Sequence, residues 1–99
     1  MPQFILLCRD KPDSRTLRME TRATHLEYAQ SLGSKLHLAG PMLDDSNKPI
    51  GSLIIVEADD EPHAREIADN DPYNKAGLFL EVGIIPFLSV IENFPKEKA

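Results

Sequence analysis

Apolar and polar positions along the chain form short runs whose boundaries are readable residue by residue. Phe4 to Cys8 is an unbroken apolar run closed by Asp10-Lys11-Pro12-Asp13, which predicts a strand leading into a loop. Asp13 or Ser14 can then cap a helix that reaches about Leu32, with Gly33 as its stop. Lys35 to Leu43 reads as a second strand, and Gly51 to Ala58, rich in isoleucine and valine, as a third. The turn-forming stretch Asp44-Asp45-Ser46-Asn47-Lys48-Pro49 between them predicts an antiparallel hairpin. Asp59 or Asp60 caps a second helix that carries Glu61 and Pro62 in its first turn and ends near Asn70. Leu78 to Ile91 completes the pattern as a long last strand, with Gly83 and Pro86 as points where it can bend.

The order β-α-β-β-α-β predicts an α+β, ferredoxin-like domain: an antiparallel sheet with both helices on one face. The strands do not alternate as a half-solvated sheet would. In the last one, Leu78, Leu80, Val82, Ile84, Leu88 and Val90 share one parity, while Phe79, Ile85, Phe87 and Ile91 share the other. Both faces ask for burial and two helices cover one, so a second copy of the chain is expected on the other. The expected assembly is a face-to-face homodimer or a larger multiple of it. One domain accounts for residues 1–94, and the charged segment 95–99 reads as a tail that frays.

Composition narrows the partners. A domain of 99 residues buries only roughly 60–65% of its unfolded surface, which favours added stability from a partner subunit. A net charge of −5 disfavours non-specific nucleic-acid binding and gives no attraction to anionic membranes. Cys8 is the only cysteine, which excludes an internal disulfide and fits a reducing compartment. No secretory signal and no run long enough to span a bilayer is visible, so a cytoplasmic location is expected.

The chemistry centres on Asp71-Pro72-Tyr73. Proline fixes its own φ and keeps the preceding residue out of the helical region, so the Asp71 carboxylate is aimed by the backbone. On a helical wheel of the first helix, Met19, Ala23 and Leu26 form one apolar side and Leu17, Tyr28 and Leu32 another. His25 lies between the second patch and Ala29, beside the row Arg15, Arg18 and Arg22, and Asp71 can reach it if the helices are neighbours. Taken singly, each feature has a structural reading: a satisfied helix histidine, a capped turn, a solvated charged edge. Arg22 can hold a substrate anion, and Tyr73 and His37 can line a pocket. His37 faces away from Leu36 and Leu38 and also suits packing. His63 should be solvated and Cys8 an inert core thiol. Gly40-Pro41 should break the second strand and shape a pocket rim. No histidine pair has metal-site spacing and no glycine-rich phosphate loop is present, so neither metal nor cofactor is expected.

Arg22-x-x-His25-x-x-Tyr28, Gly40-Pro41, Gly51 and Asp71-Pro72-Tyr73, in that order, resemble the YCII-related (YciI-like) proteins over roughly residues 3 to 91. The resemblance implies a dimeric α+β barrel of two ferredoxin-like sheets and a histidine–aspartate active site, whose roles fall on His25 and Asp71. One branch of the family is similar to enzymes that eliminate chloride from hydroxylated aromatic rings, and the wider superfamily includes isomerases and cofactor-free monooxygenases. The expectation is a small-molecule enzyme of lyase or isomerase type. The rival reading is a non-catalytic homodimer that binds a metabolite or serves as an accessory subunit.

Overall fold

The computed structural model describes residues 2–94; the tail expected at 95–99 lies outside the described residues. β1 (Gln3–Asp10) leads into α1 (Arg15–Ser31), a 3-10 turn (Gly33–Lys35), and the hairpin of β2 (Leu36–Leu43) and β3 (Pro49–Glu57). α2 (Glu61–Asp69), a short α3 (Pro72–Lys75) and β4 (Phe79–Phe87) follow. All pairings are antiparallel, in the order β2-β3-β1-β4. This is the expected ferredoxin-like α+β arrangement, with the chain's first and last strands side by side at the centre and edge.

The element ends follow from local chemistry. Ser14 takes the position before α1, but its hydroxyl donates to the carbonyls of Lys11 and Pro12 at 2.5 and 3.2 Å and does not cap the helix. Gly33 ends α1 by adopting φ +59°, which a side chain would resist. Asp60, one of the two expected caps of α2, accepts the His63 backbone N–H at 3.0 Å. His63 is half-buried, not fully solvated, because its Nδ1 accepts the Asp59 backbone N–H at 3.0 Å.

Phe4, Leu6 and Cys8 of β1 and Ile54 and Val56 of β3 point under the helices and form the core with Ala64, Ile67 and Ala68 of α2 and with Tyr73, Leu78 and Phe79. At Gly51 a Cβ would collide with the Cys8 carbonyl oxygen, so β1 and β3 approach here as only glycine permits. The opposite sheet face carries Ile5, Leu7, Leu53, Ile55, Ile85 and Phe87, with no helix over them among the described residues; Ile85 and Phe87 are exposed and the other four only half-buried.

Several expectations are corrected. β4 ends at Phe87, and Leu88, Val90 and Ile91 lie exposed beyond it in irregular backbone. The parity read for β4 also fails at its start: the register slips where Arg9 pairs with Glu81 and Asp10 with Phe79. The extra residue, Leu80, is turned out to 63% exposure, and Phe79 joins Leu78 in the core. Gly40-Pro41 does not break β2; it lies within the strand, whose register slips instead at Leu36/Leu38 and Met42/Leu43. As an edge strand, β2 can carry a proline without losing a shared ladder bond. In α1, Met19 is 75% exposed and the whole Met19–Ala23–Leu26 side is exposed, while Arg18, His25 and Ala29 are the buried positions.

Candidate active site

Asp71 adopts φ −63° and ψ 128°, the extended geometry that a following proline imposes, and sits at the cap position of α3. Its Oδ1 accepts the backbone N–H of Tyr73 at 2.9 Å. The same oxygen meets Nδ1 of His25 at 2.8 Å, across a gap of 46 residues in sequence. Both side chains are buried. Tyr28, one helical turn beyond His25, donates its hydroxyl to the Ile67 carbonyl at 2.8 Å and ties α1 to α2, which keeps His25 in reach of Asp71. Burial, followed by the nearby charges of Asp71 and Glu66, pushes the Tyr28 phenol above its ordinary pKa, so it stays a donor.

The Tyr73 ring is stacked on the imidazole, with centroids 4.1 Å apart and 17° between planes. Arg18 sits over the same ring, its guanidinium carbon 4.6 Å from the centroid. That guanidinium is clamped: Nε and Nη2 donate to the two Asp10 carboxylate oxygens at 2.7 and 2.8 Å, and Nη2 also donates to Ser52 Oγ at 2.9 Å. Burial alone would lower the Arg18 pKa, but the hydrogen bond and charge of Asp10, joined by those of the Tyr73 phenol, together outweigh it and hold the group above its ordinary value. The Tyr73 phenol is pushed up chiefly by burial, with Arg18 and Arg22 pulling the other way.

These groups open on one cavity of about 770 Å³ between α1 and the β2–β3 hairpin. His25, Arg18, Ser52 and Tyr73 line its inner end, Leu26, Leu36, Leu38 and Ile54 give apolar walls, and Arg15, Arg22 and Lys48 are exposed at its mouth. With Nδ1–H given to the Asp71 carboxylate, Nε2 carries the lone pair of the imidazole, and it has no hydrogen-bond partner among the described residues. Every fully buried side-chain nitrogen and oxygen among them does have a partner, so Nε2 is open to the space His25 lines. A hydrogen-bonded, correctly oriented base facing such a cavity can accept a proton from a bound molecule.

The residues singled out in the sequence divide accordingly. His25, Asp71 and Tyr73 come together, and Arg22 stands at the mouth. His37 reaches the cavity wall, but both its ring nitrogens are taken: Gln3 Nε2 donates to Nδ1 at 2.9 Å, and Nε2 donates to Glu57 Oε2 at 3.0 Å. Gly40 and Pro41 do line the cavity. Burial, first of all, raises the Cys8 thiol from its ordinary value near 9 to about 12, which leaves it a core residue with no nucleophilic character. Sequence reasoning passed over Asp10 and Ser52 and treated Arg18 only as one of a charged row. Two signals pointed to them. Arg18 precedes His25 by two helical turns, and Ser52 shares the parity of the core residues Ile54 and Val56, where a hydroxyl must find a partner. No group of three or more His, Cys, Asp or Glu side chains able to hold a metal occurs among the described residues. No helix there is long and apolar enough to cross a membrane.

A ferredoxin-like domain with a buried histidine–aspartate pair at the end of a cavity is the class that fold and site define. The YCII-related domain matches residues 2–88, and the chain belongs to that family. Protein YciI of Escherichia coli O6:H1 is 37% identical over 88% of this chain and 97% of its own length. The solved structure of 5-chloro-2-hydroxyhydroquinone dehydrochlorinase (TftG) from Burkholderia phenoliruptrix AC1100, in complex with 2,5-dihydroxybenzoquinone, superposes with a TM-score of 0.79. It is 31% identical, over 87% of this chain and 93% of that one. An antibiotic biosynthesis monooxygenase, at 11% identity over 92% of this chain and all of its own, shares the fold with a TM-score of 0.56.

Proposed function

We propose that this protein is a small-molecule enzyme in which His25 acts as general base and acid and Asp71 orients it. The reaction is an elimination or isomerisation of a hydroxylated ring or an enol, needing neither metal nor redox cofactor. The observation that carries this reading is the 2.8 Å contact of His25 Nδ1 with Asp71 Oδ1 at the wall of an apolar cavity, with Nε2 unengaged. Kinship with a dehydrochlorinase favours substrates of that chemical class. Proton transfer by a positioned histidine contributes about 10²–10⁴-fold, enough for a substrate whose proton is already acidic. Tyr73 packs the imidazole in place, Arg22 draws anions to the mouth, and His37 closes the wall from β2.

The open sheet face supports a homodimer with the two sheets packed together, and the lone, buried Cys8 suits work in the reducing cytoplasm. The test is chloride release from 5-chloro-2-hydroxyhydroquinone, followed by absorbance for wild type, His25→Gln and Asp71→Asn. Turnover lost by about 100-fold or more in His25→Gln is expected. Equal turnover in both variants and wild type would sink the base assignment. Binding of the compound without turnover in any of them would favour a metabolite-binding homodimer.

A further inference from the structure

Beyond β4 the chain runs on through residues 88–94 in irregular backbone, with Leu88, Val90, Ile91 and Phe94 each 67–79% exposed. Apolar side chains standing in water do little to fix a segment in place. Among the described residues a single hydrogen bond holds it: the backbone N–H of Ser89 donates to Gln3 Oε1 at 2.8 Å. Ser89 is also the only half-buried residue of the segment. A tie of one bond opens and closes readily, so whatever alters its acceptor alters the whole segment.

That acceptor belongs to a chain of hydrogen bonds with one possible direction. A backbone N–H can only donate, so the amide oxygen of Gln3 must face Ser89 and its Nε2 must face His37, 2.9 Å away. The amide nitrogen in turn can only donate, so His37 Nδ1 accepts. The ring proton therefore sits on Nε2, which donates to Glu57 Oε2 at 3.0 Å. A neutral imidazole fits this arrangement and an imidazolium does not. A proton added to Nδ1 sets two donors against each other across 2.9 Å. Turning the Gln3 amide over relieves the conflict, but its NH₂ then faces the Ser89 N–H and the tie is lost. We propose that Ser89, Gln3 and His37 form a proton-sensitive latch, closed on the C-terminal segment while His37 is neutral and released when the ring takes up a proton.

Closure needs a bare Nδ1, so the latch is shut at high pH and opens as pH falls through the titration of His37. Glu57 accepts from Nε2 in both protonation states, so its carboxylate favours proton uptake without resisting release. Glu92, on the segment itself, lines a hollow of about 400 Å³ together with His37 and pulls an imidazolium toward holding; it is exposed, so water screens it. On the other side His37 borders the substrate cavity, where Arg15, Arg18 and Arg22 of α1, with His25 and Lys48, oppose its protonation. Lys35 precedes β2, which carries no other charged residue. Leu38, Ile55 and Phe87 wall the hollow, so release uncovers apolar surface continuous with the open sheet face. None of this depends on the role of His25.

The test is hydrogen exchange of the Ser89 amide, followed by NMR at about pH 8 and about pH 5.5, between which imidazoles gain their proton. Rates are divided by those of an unstructured chain at the same pH, which removes the intrinsic pH dependence. Wild-type protection should fall by about tenfold or more, the scale of one lost hydrogen bond. Its midpoint should coincide with that of the His37 ring, followed in the same samples. His37→Leu leaves Gln3 able to accept from Ser89 and should keep its protection at both pH values. Gln3→Leu should lack protection already at the higher pH. Circular dichroism checks that each variant folds. A static tie would protect Ser89 equally at both pH values in wild type. That result overturns the latch, as does a wild-type midpoint that departs from that of the His37 ring. A fall in folded His37→Leu as large as in wild type, or a protected Ser89 in folded Gln3→Leu, overturns it as well.

Discussion

The Tyr73 ring lies flat against the His25 imidazole, 4.1 Å from it, and the backbone N–H of Tyr73 is bonded to the oxygen that holds the same histidine. One residue therefore fixes the imidazole plane and helps fix its hydrogen-bond acceptor. Removing the ring should be felt twice, as lost packing and as a loosened base. Tyr73→Ala is expected to cost about 3–5 kcal/mol in urea unfolding, whereas Tyr73→Phe, which keeps the stack, should cost under about 1.5 kcal/mol.

Asp71→Asn tests orientation separately from stability. An asparagine side-chain oxygen can still accept from the Tyr73 N–H, so the cap of α3 should survive and unfolding free energy should fall by only about 1 kcal/mol. The carboxylate that fixes the Nδ1–H tautomer and supports the imidazolium would be gone. Turnover should drop by about 10²-fold or more with substrate affinity little changed; a fall in affinity alone would contradict an orienting role.

Gly51→Ala should be costly for a reason unrelated to chemistry. The new methyl would meet the Cys8 carbonyl oxygen, a backbone atom that cannot turn aside. A loss of about 3 kcal/mol is expected, read from the urea midpoint at unchanged m-value. The same substitution at Gly40, where no atom of the described residues beyond its chain neighbours lies within 4 Å of the added carbon, should be nearly neutral.

Alkaline pH should destabilise the fold through its buried acids. Cys8 is held protonated by burial, to about 12 against an ordinary 9, and Tyr28 and Tyr73 are shifted the same way. From about pH 9 for Cys8 and about pH 10 for the two tyrosines, the unfolded chain releases protons that the folded one keeps, so unfolding is favoured as pH rises. The Cys8 contribution is intact below pH 9 and lost by about pH 12, on the order of 4 kcal/mol in all. Urea titrations at pH 8 and pH 10.5 should show the fall, and Cys8→Ala, less stable overall, should show a shallower one.

The uncovered sheet face sets the expected assembly. Light scattering should give twice the 11.1 kDa of one chain, and Ile55→Asp, which puts a charge among Leu53, Ile85 and Phe87, should give a monomer. A monomeric wild type would overturn the homodimer.

The four strands, the two longer helices and their order were legible in the sequence because each depends on neighbours in the chain: the β1 apolar run, Gly33 as a stop, Asp60 as a cap and the β2–β3 turn. The short α3 and the end of β4 were not. The aim of Asp71 was legible for the same reason, since Pro72 sets it locally. Its target came from a wheel argument and a family resemblance, and the 2.8 Å contact exists only because α1 and α3 fold against each other. Arg18 shows the limit most clearly. Its sequence context is a row of arginines along a helix, and only its two-turn spacing from His25 sets it apart from Arg15 and Arg22. Asp10 and Ser52, 8 and 34 residues away, make it the buried member, because only the assembled sheet brings a carboxylate and a hydroxyl to the same guanidinium. The parity error at Leu80 has the same origin: a register slip between β1 and β4 belongs to the pair of strands and is written in neither alone. Sequence by itself determined the elements, the family and the aimed carboxylate, which are set by short-range chemistry. Which charged groups lost their water and faced the cavity was decided by tertiary packing, since burial is a property of the whole fold.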